Sequence, residues 1–313
     1  MVLGESHCGP SAGVCRARQW LAGVMYHVPL STALVSSEII PISPGACLEP
    51  ASCQQSQPFC VHSMIMTSTS SQRLLTVAAA QLGPIQSLTT PRAEVLKRMI
   101  NLLEEAATKK VQLVVFPELA FTTFFPSYII EAEEEIAKFF EPASPAEPYA
   151  IIGSPNAKPL VDKATELGID ISFGYGERWT DESGKTTDYN TAVYYSARQR
   201  RCIAKYRKVH LPGRYEPDPR PGVTQQLEKR FFTPGNLGFQ AFRVPDLIEG
   251  TLKSGGADEC AANQDGVSGR GDPIFGMLIC NDRRWAEGWR CYGLQGIEIL
   301  LVRFHVVSHS EGC

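Results

Sequence analysis

A layered α/β fold is what the residue pattern of this chain predicts, on three observations. Strand-like and helix-like segments alternate from about Leu74 onward. Several of the strand-like segments are apolar throughout rather than at every second residue, the mark of sheets covered on both faces. The 313 residues, 43% hydrophobic and 20% charged, are enough to bury a core.

Taken in order, residues 74–82 (LLTVAAAQL) read as a buried strand. From Pro91 to about Lys110 a helix is expected, because Val95, Leu96, Met99, Leu102, Leu103 and Ala106 recur at helical spacing. Residues 111–119 (VQLVVFPEL) form a second buried strand, Ile130 to Phe140 a short acidic helix, and Pro159 to Leu167 another helix. Two strands, 169–178 and 191–197, are joined by a hairpin turn at Asp181-Glu182-Ser183-Gly184-Lys185. Residues 202–209 (CIAKYRKV) continue the sheet, and a long polar loop runs to about Phe231. Strands at 239–244 and 273–280, a helix at Ala286 to Leu294, and a last strand at 296–302 complete the pattern.

Three stretches stand apart. Residues 1–72 are rich in Ser, Pro and Cys with little periodicity, and read as a poorly ordered leader. Arg16 and Arg18 precede an apolar stretch there, but His27 and Pro29 break it before it resembles a targeting segment, and Met64 or Met66 offers an alternative start. Glu249 to Asp272 is Gly-rich, polar and aperiodic, and reads as a flexible insert; its Arg270-Gly271-Asp272 tripeptide is read as a chance match to adhesion ligands. Residues 302–313, from the final residue of the last strand onward, show no helix.

The bulk numbers narrow the function. A net charge of −3 points to no nucleic-acid partner, and no apolar run is long enough to span a membrane. No Gly-rich phosphate loop follows the first strand. Ten cysteines are unevenly spread, with only Cys202, Cys280 and Cys291 in the well-patterned region, which fits a reduced, cytoplasmic enzyme better than a secreted disulfide framework. No CxxC pair is present and the six histidines are dispersed, so neither a metal nor a cofactor is expected.

The chemistry concentrates at strand ends. Cys280 ends an apolar strand, and the helix-forming stretch after it offers N–H groups that favour a thiolate. Glu118 ends the 111–119 strand and Lys208 lies near the end of the 202–209 strand. Together they suggest covalent hydrolysis: Glu118 takes the thiol proton and returns one to the leaving nitrogen, while Lys208 and the Asn281 N–H stabilise the oxyanion. Glu228 is placed to hold Lys208 or to orient water, and Arg283 with Arg284 suits a grip on a substrate carboxylate. His210 is expected to make structural hydrogen bonds. Each residue alone has a plainer reading: a packed thiol, a loop carboxylate, a solvated basic run.

Residues 116–126 (FPELAFTTFFP), 205–213 (KYRKVHLPG), 227–239 (LEKRFFTPGNLGF) and 279–285 (ICNDRRW) together resemble the nitrilase, or carbon–nitrogen hydrolase, superfamily. The last two resemble its N-carbamoyl-D-amino-acid amidohydrolase branch most. The resemblance covers about Leu74 to Leu301 and implies an α-β-β-α sandwich that forms a homo-oligomer. It also implies a catalytic Glu118, Lys208 and Cys280, a supporting Glu228, and Arg283 and Arg284 on the carboxylate of a small carbamoyl or amide substrate. Gln226 stands where that branch has a histidine. The superfamily domain continues past residues 296–302, so the resemblance implies that a C-terminal part is missing and that the insert and tail are translated non-coding sequence or a mistaken gene model. Other branches (aliphatic amidase, β-ureidopropionase-like) and a non-catalytic or assembly-only chain remain as alternatives.

Overall fold

The computed structural model describes residues 26–29, 74–85, 87–248 and 271–305. The insert at 249–272 lies outside these residues except for Gly271 and Asp272, as do the leader apart from 26–29 and the tail from 306. Among the described residues no helix is long and apolar enough to cross a membrane.

Among the described residues, ten strands and five α-helices succeed one another as β1 (Tyr26–Pro29), β2 (Leu74–Ala79), α1 (Arg92–Thr108), β3 (Leu113–Val115), α2 (Glu133–Ala137), β4 (Phe140–Ala143), α3 (Lys158–Leu167), β5 (Asp170–Thr180), β6 (Thr186–Ser196), β7 (Arg201–Arg207), α4 (Glu228–Phe231), β8 (Phe242–Arg243), β9 (Ile274–Ile279), α5 (Ala286–Leu294) and β10 (Ile299–Arg303). A seven-stranded sheet runs β1-β2-β3-β5-β6-β7, with β4 also paired to β5. A three-stranded sheet runs β10-β9-β8.

The layers result from strand alternation. On one face of the large sheet, Val114, Phe116, Ile171, Phe173 and Val193 share a core with Val95, Met99 and Leu103 of α1 and Leu160 and Ala164 of α3. On its other face, Leu75, Leu113, Ala192, Tyr194 and Tyr206 share a core with Phe242, Phe275, Met277 and Ile279 of the small sheet. Each Val, Leu, Ile, Met or Phe among them contributes roughly 1.5–3 kcal/mol through burial. Gly276 and Leu278 of β9 lie against Tyr292 and Gly288 of α5. Gly276 is required there, since a Cβ would lie 2.8 Å from the ring of Tyr292. The order of layers is therefore helices, large sheet, small sheet, helix, the α-β-β-α sandwich expected from the sequence.

The hairpin between β5 and β6 forms where its turn residues predict: the Asp181 carboxylate accepts from the N–H groups of Ser183 (2.9 Å) and Lys185 (3.0 Å). Residues 26–29 pair antiparallel with β2 along its edge. Expectations about three later elements are corrected. The acidic helix spans only Glu133–Ala137, because Phe140 turns away to meet Phe125 and Phe232 edge to face at 5.6 and 5.7 Å and begins β4. The strand expected over 239–244 shrinks to two residues, and the last strand spans Ile299–Arg303 rather than 296–302.

Candidate active site

Three chain turns at strand ends carry the site. Glu118 comes after β3, and its neighbour Leu119 has a left-handed backbone, φ 46°. The turn lies directly on β5 at Gly174, where a Cβ would come within 2.8 Å of the Glu118 Cα. The Gly174 N–H donates to the Pro117 carbonyl (3.1 Å), and the Ala120 N–H donates to the Gly174 carbonyl (2.8 Å). Lys208 comes after β7 and is held by its backbone N–H on the Asn190 carbonyl of β6 (2.8 Å). Cys280 comes after β9 and is itself left-handed, φ 47°, a conformation that costs a non-glycine residue about 1–2 kcal/mol.

Glu228 opens α4, which is set by an aromatic cluster: Phe125 meets Phe231 at 5.4 Å and Phe232 at 5.6 Å, and the Leu227 N–H donates to the Pro126 carbonyl (2.8 Å). The segment after Glu118 thus seats the segment that carries Glu228.

Glu118, Lys208 and Glu228 are fully buried. Lys208 Nζ donates to Glu118 Oε1 (2.8 Å) and to Glu228 Oε2 (2.5 Å). Asn190 Nδ2 donates to Glu118 Oε1 (2.7 Å) and reaches Glu228 Oε2 at 3.5 Å. Glu118 Oε2 accepts from the backbone N–H of His305 (3.1 Å). Asn190 Oδ1 and Glu228 Oε1 have no hydrogen-bond partner although they are buried.

Burial would lower the Lys208 pKa, but the charges of Glu118 and Glu228 outweigh it and raise it. Burial, reinforced by Glu118, pushes Glu228 up to about 7, against the opposing pull of Lys208. The Cys280 thiol is pushed up to about 11 by burial, with Glu118 adding to the rise and Lys208 opposing it. The expectation that a helix directly after Cys280 would favour the thiolate is thus corrected. Cys280 instead opens a 3-10 turn, Cys280–Arg284, and α5 starts only at Ala286. A half-buried neutral thiol among these charges needs a base at the moment it attacks.

The arginine pair divides. Arg283 Nη1 turns back to the Cys280 carbonyl (2.6 Å) and lies 3.9 Å from its Sγ, with its guanidinium over the Phe304 ring at 5.5 Å. Arg284 is exposed. The Asn281 side chain is tied to the His210 carbonyl (3.0 Å). His210 makes the structural hydrogen bonds expected of it, both to Asp282.

Four residues escaped sequence reasoning. Asn190 sits within an 11-residue strand, where its type carries no signal. Asp282 resembles part of a polar linker. Arg303 and His305 fall in the segment read as a tail. Arg303 is buried, donates to Ser172 Oγ (2.6 Å) and the Phe173 carbonyl (3.1 Å), and is lowered to about 9 by burial. His305 stacks on Phe124 at 5.3 Å. A charged arginine in an otherwise apolar final strand was the one available signal.

A nitrilase from Pyrococcus abyssi is 30% identical over 200 residues, covering 64% of this chain and 54% of its own length. An N-carbamoylputrescine amidase from Solanum tuberosum is 26% identical over 239 residues, covering 76% of this chain and 61% of its own. The chain therefore spans between half and two thirds of the length of these relatives. A crystal structure of a carbon-nitrogen hydrolase from Helicobacter pylori G27 superposes with a TM-score of 0.51 at 20% identity, covering 76% of this chain and 62% of that one, and shares the fold. The family model for carbon-nitrogen hydrolases matches residues 76–312, most of the chain, which therefore belongs to the carbon-nitrogen hydrolase family.

Proposed function

We propose that this chain carries the machinery of a hydrolase that cleaves a non-peptide C–N bond in a small linear amide or N-carbamoyl compound, through a covalent intermediate on Cys280. The observation that carries this reading is the fully buried Lys208 held between Glu118 and Glu228, in the electrostatic reach of a left-handed Cys280.

Glu118 removes the thiol proton as Sγ attacks the carbonyl carbon. The resulting oxyanion is stabilised by Lys208 and the Asn281 N–H. Collapse breaks the C–N bond, and the departing nitrogen takes the proton that Glu118 holds. Water, deprotonated by Glu118 and oriented by the unpartnered Oε1 of Glu228, then cleaves the thioester and regenerates the thiol. With an N-carbamoyl amino acid the products are the amino acid, carbon dioxide and ammonia.

Membership of the family and a relative named for N-carbamoylputrescine support the carbamoyl class. An N-carbamoyl amino acid is the finer reading. Exposed Arg284 is available to its carboxylate, while Arg283 is engaged with the Cys280 carbonyl and contributes only by turning away from it. A cytoplasmic location and homo-oligomeric assembly complete the proposal. Cys202, Cys280 and Cys291 are free thiols, which suits a reducing compartment.

The test is ammonia release from a panel of N-carbamoyl amino acids and linear amides, with and without a carboxylate, by the chain and by Cys280→Ala. Release by the chain and none by the variant is expected, with preference for the carboxylate-bearing members. Substantial turnover by Cys280→Ala would refute the covalent route. No release by either leaves the non-catalytic alternative in its place.

A further inference from the structure

Between the nucleophile turn and the lysine turn lies a fully buried carboxylate, Asp282, that the proposed reaction does not use. Its Oδ2 accepts from the Tyr206 hydroxyl (2.7 Å) and from the backbone N–H of Ile279 (3.2 Å). Its Oδ1 accepts from the backbone N–H of His210 (2.8 Å), and His210 Nδ1, 2.9 Å away, donates in the tautomer that carries its proton there. Ile279 immediately precedes Cys280, while Tyr206 and His210 stand two residues either side of Lys208. One side chain therefore joins the turn that presents the thiol to the turn that presents the ammonium.

The surroundings close this joint. The Asn281 side chain adds its bond to the His210 carbonyl (3.0 Å), and Trp285 stacks flat on the His210 ring, with centroids 4.8 Å apart and planes inclined by 8°. A left-handed non-glycine residue persists only where neighbouring contacts over-determine it. The bond from the Ile279 N–H to Asp282 is a contact that spans Cys280 itself.

We propose that Asp282 is a positioning residue that holds Cys280 in its left-handed turn and at a fixed offset from Lys208, and so sets the reactivity of the thiol. This rests on the reading of Cys280 as the nucleophile. A merely structural Asp282 would change the folded fraction and nothing else. A positioning Asp282 changes the chemistry of molecules that remain folded.

The experiment uses the full chain with Asp282→Asn and Tyr206→Phe, each checked by thermal unfolding. Alkylation of Cys280 by iodoacetamide is tracked by peptide mass spectrometry, with exposed Cys291 as the internal control. For Asp282→Asn, Cys280 alkylation slows by about tenfold or more at an unchanged Cys291 rate, and kcat for the best substrate falls on the order of a hundredfold with KM within about threefold. Tyr206→Phe, which removes one donor and little volume, gives a smaller fall in the same direction, and it decides the matter if Asp282→Asn does not fold. Cys280 alkylation at or above the unsubstituted rate in a folded variant overturns the proposal. Should the chain release no ammonia while alkylation still depends on Asp282, the positioning role stands and the hydrolase reading falls. Equal kcat in the chain and in folded Asp282→Asn overturns the positioning role and leaves the hydrolase reading intact.

Discussion

Arg207 and Lys208 are neighbours in sequence yet enter two buried ionic clusters of opposite character. Pleating sends Thr191 and Arg207 to one cluster, and Asn190 and Lys208 to the other. In the first, Glu177 meets two cations, and its oxygens are filled by four donors: Lys205 Nζ, Arg207 Nε and Nη2, and Thr191 Oγ1. The Arg207 guanidinium lies between the rings of Tyr189 at 4.0 Å and Trp179 at 4.6 Å. Burial would raise the Glu177 pKa, but hydrogen bonds from Arg207 and the charge of Lys205 hold it below its ordinary value. In the second, two carboxylates share one ammonium, Glu228 is raised, and Asn190 Oδ1 and Glu228 Oε1 are left without partners. The first cluster is closed and stabilises the sheet. The second is incomplete, and incompleteness in a buried site is where a substrate or water supplies the missing partner.

The comparison breaks most sharply at Glu118. Replacing it with glutamine (Glu118→Gln) is expected to cut ammonia release by about a thousandfold, the scale of general acid–base catalysis, while the unfolding free energy moves by no more than about 1 kcal/mol, because a like charge beside Glu228 is removed. A large loss of stability would place Glu118 with the structural cluster.

Glu177→Ala should do the opposite. Leaving Lys205 and Arg207 buried without their anion is expected to cost about 3–5 kcal/mol in urea unfolding, with turnover per folded molecule retained. Unchanged stability would show that the aromatic rings alone sustain the two cations.

The smallest effect sharpens the site's own electrostatics. Because the Glu228 pKa is higher folded than unfolded, the folded state holds the extra proton. Its contribution to stability is full below the ordinary glutamate range and is lost as pH rises to about 7. Glu228→Gln should flatten the fall in unfolding temperature across that window. An unaltered pH profile would mean that Glu228 does not titrate there.

Much of this was legible in the residues. The spacing of Val95, Leu96, Met99, Leu102, Leu103 and Ala106 predicted α1, and all six are buried. The apolar runs predicted sheets covered on both faces. Glu118, Lys208 and Glu228, chosen for their types and places at strand ends or in the motifs, do meet. Asn190 was not legible because a single asparagine in a strand looks like any polar pleat residue. Asp282 and His305 were not, because their partners lie 72 and 187 residues away. Arg283 reads as a substrate clamp, whereas the tight turn after β9 folds it back on the Cys280 carbonyl.

The sequence by itself determined the layered architecture and the kind of chemistry, because hydrophobic periodicity reports local backbone geometry and a residue's type limits what it can ionise or attack. Only the tertiary structure decided that Lys208 has two carboxylates while Arg207 shares one, that the thiol is raised rather than lowered, and that Asp282 and His305 belong beside the site. Those outcomes depend on sheet register and on burial, which bring together groups up to 187 residues apart and set the dielectric in which their charges act.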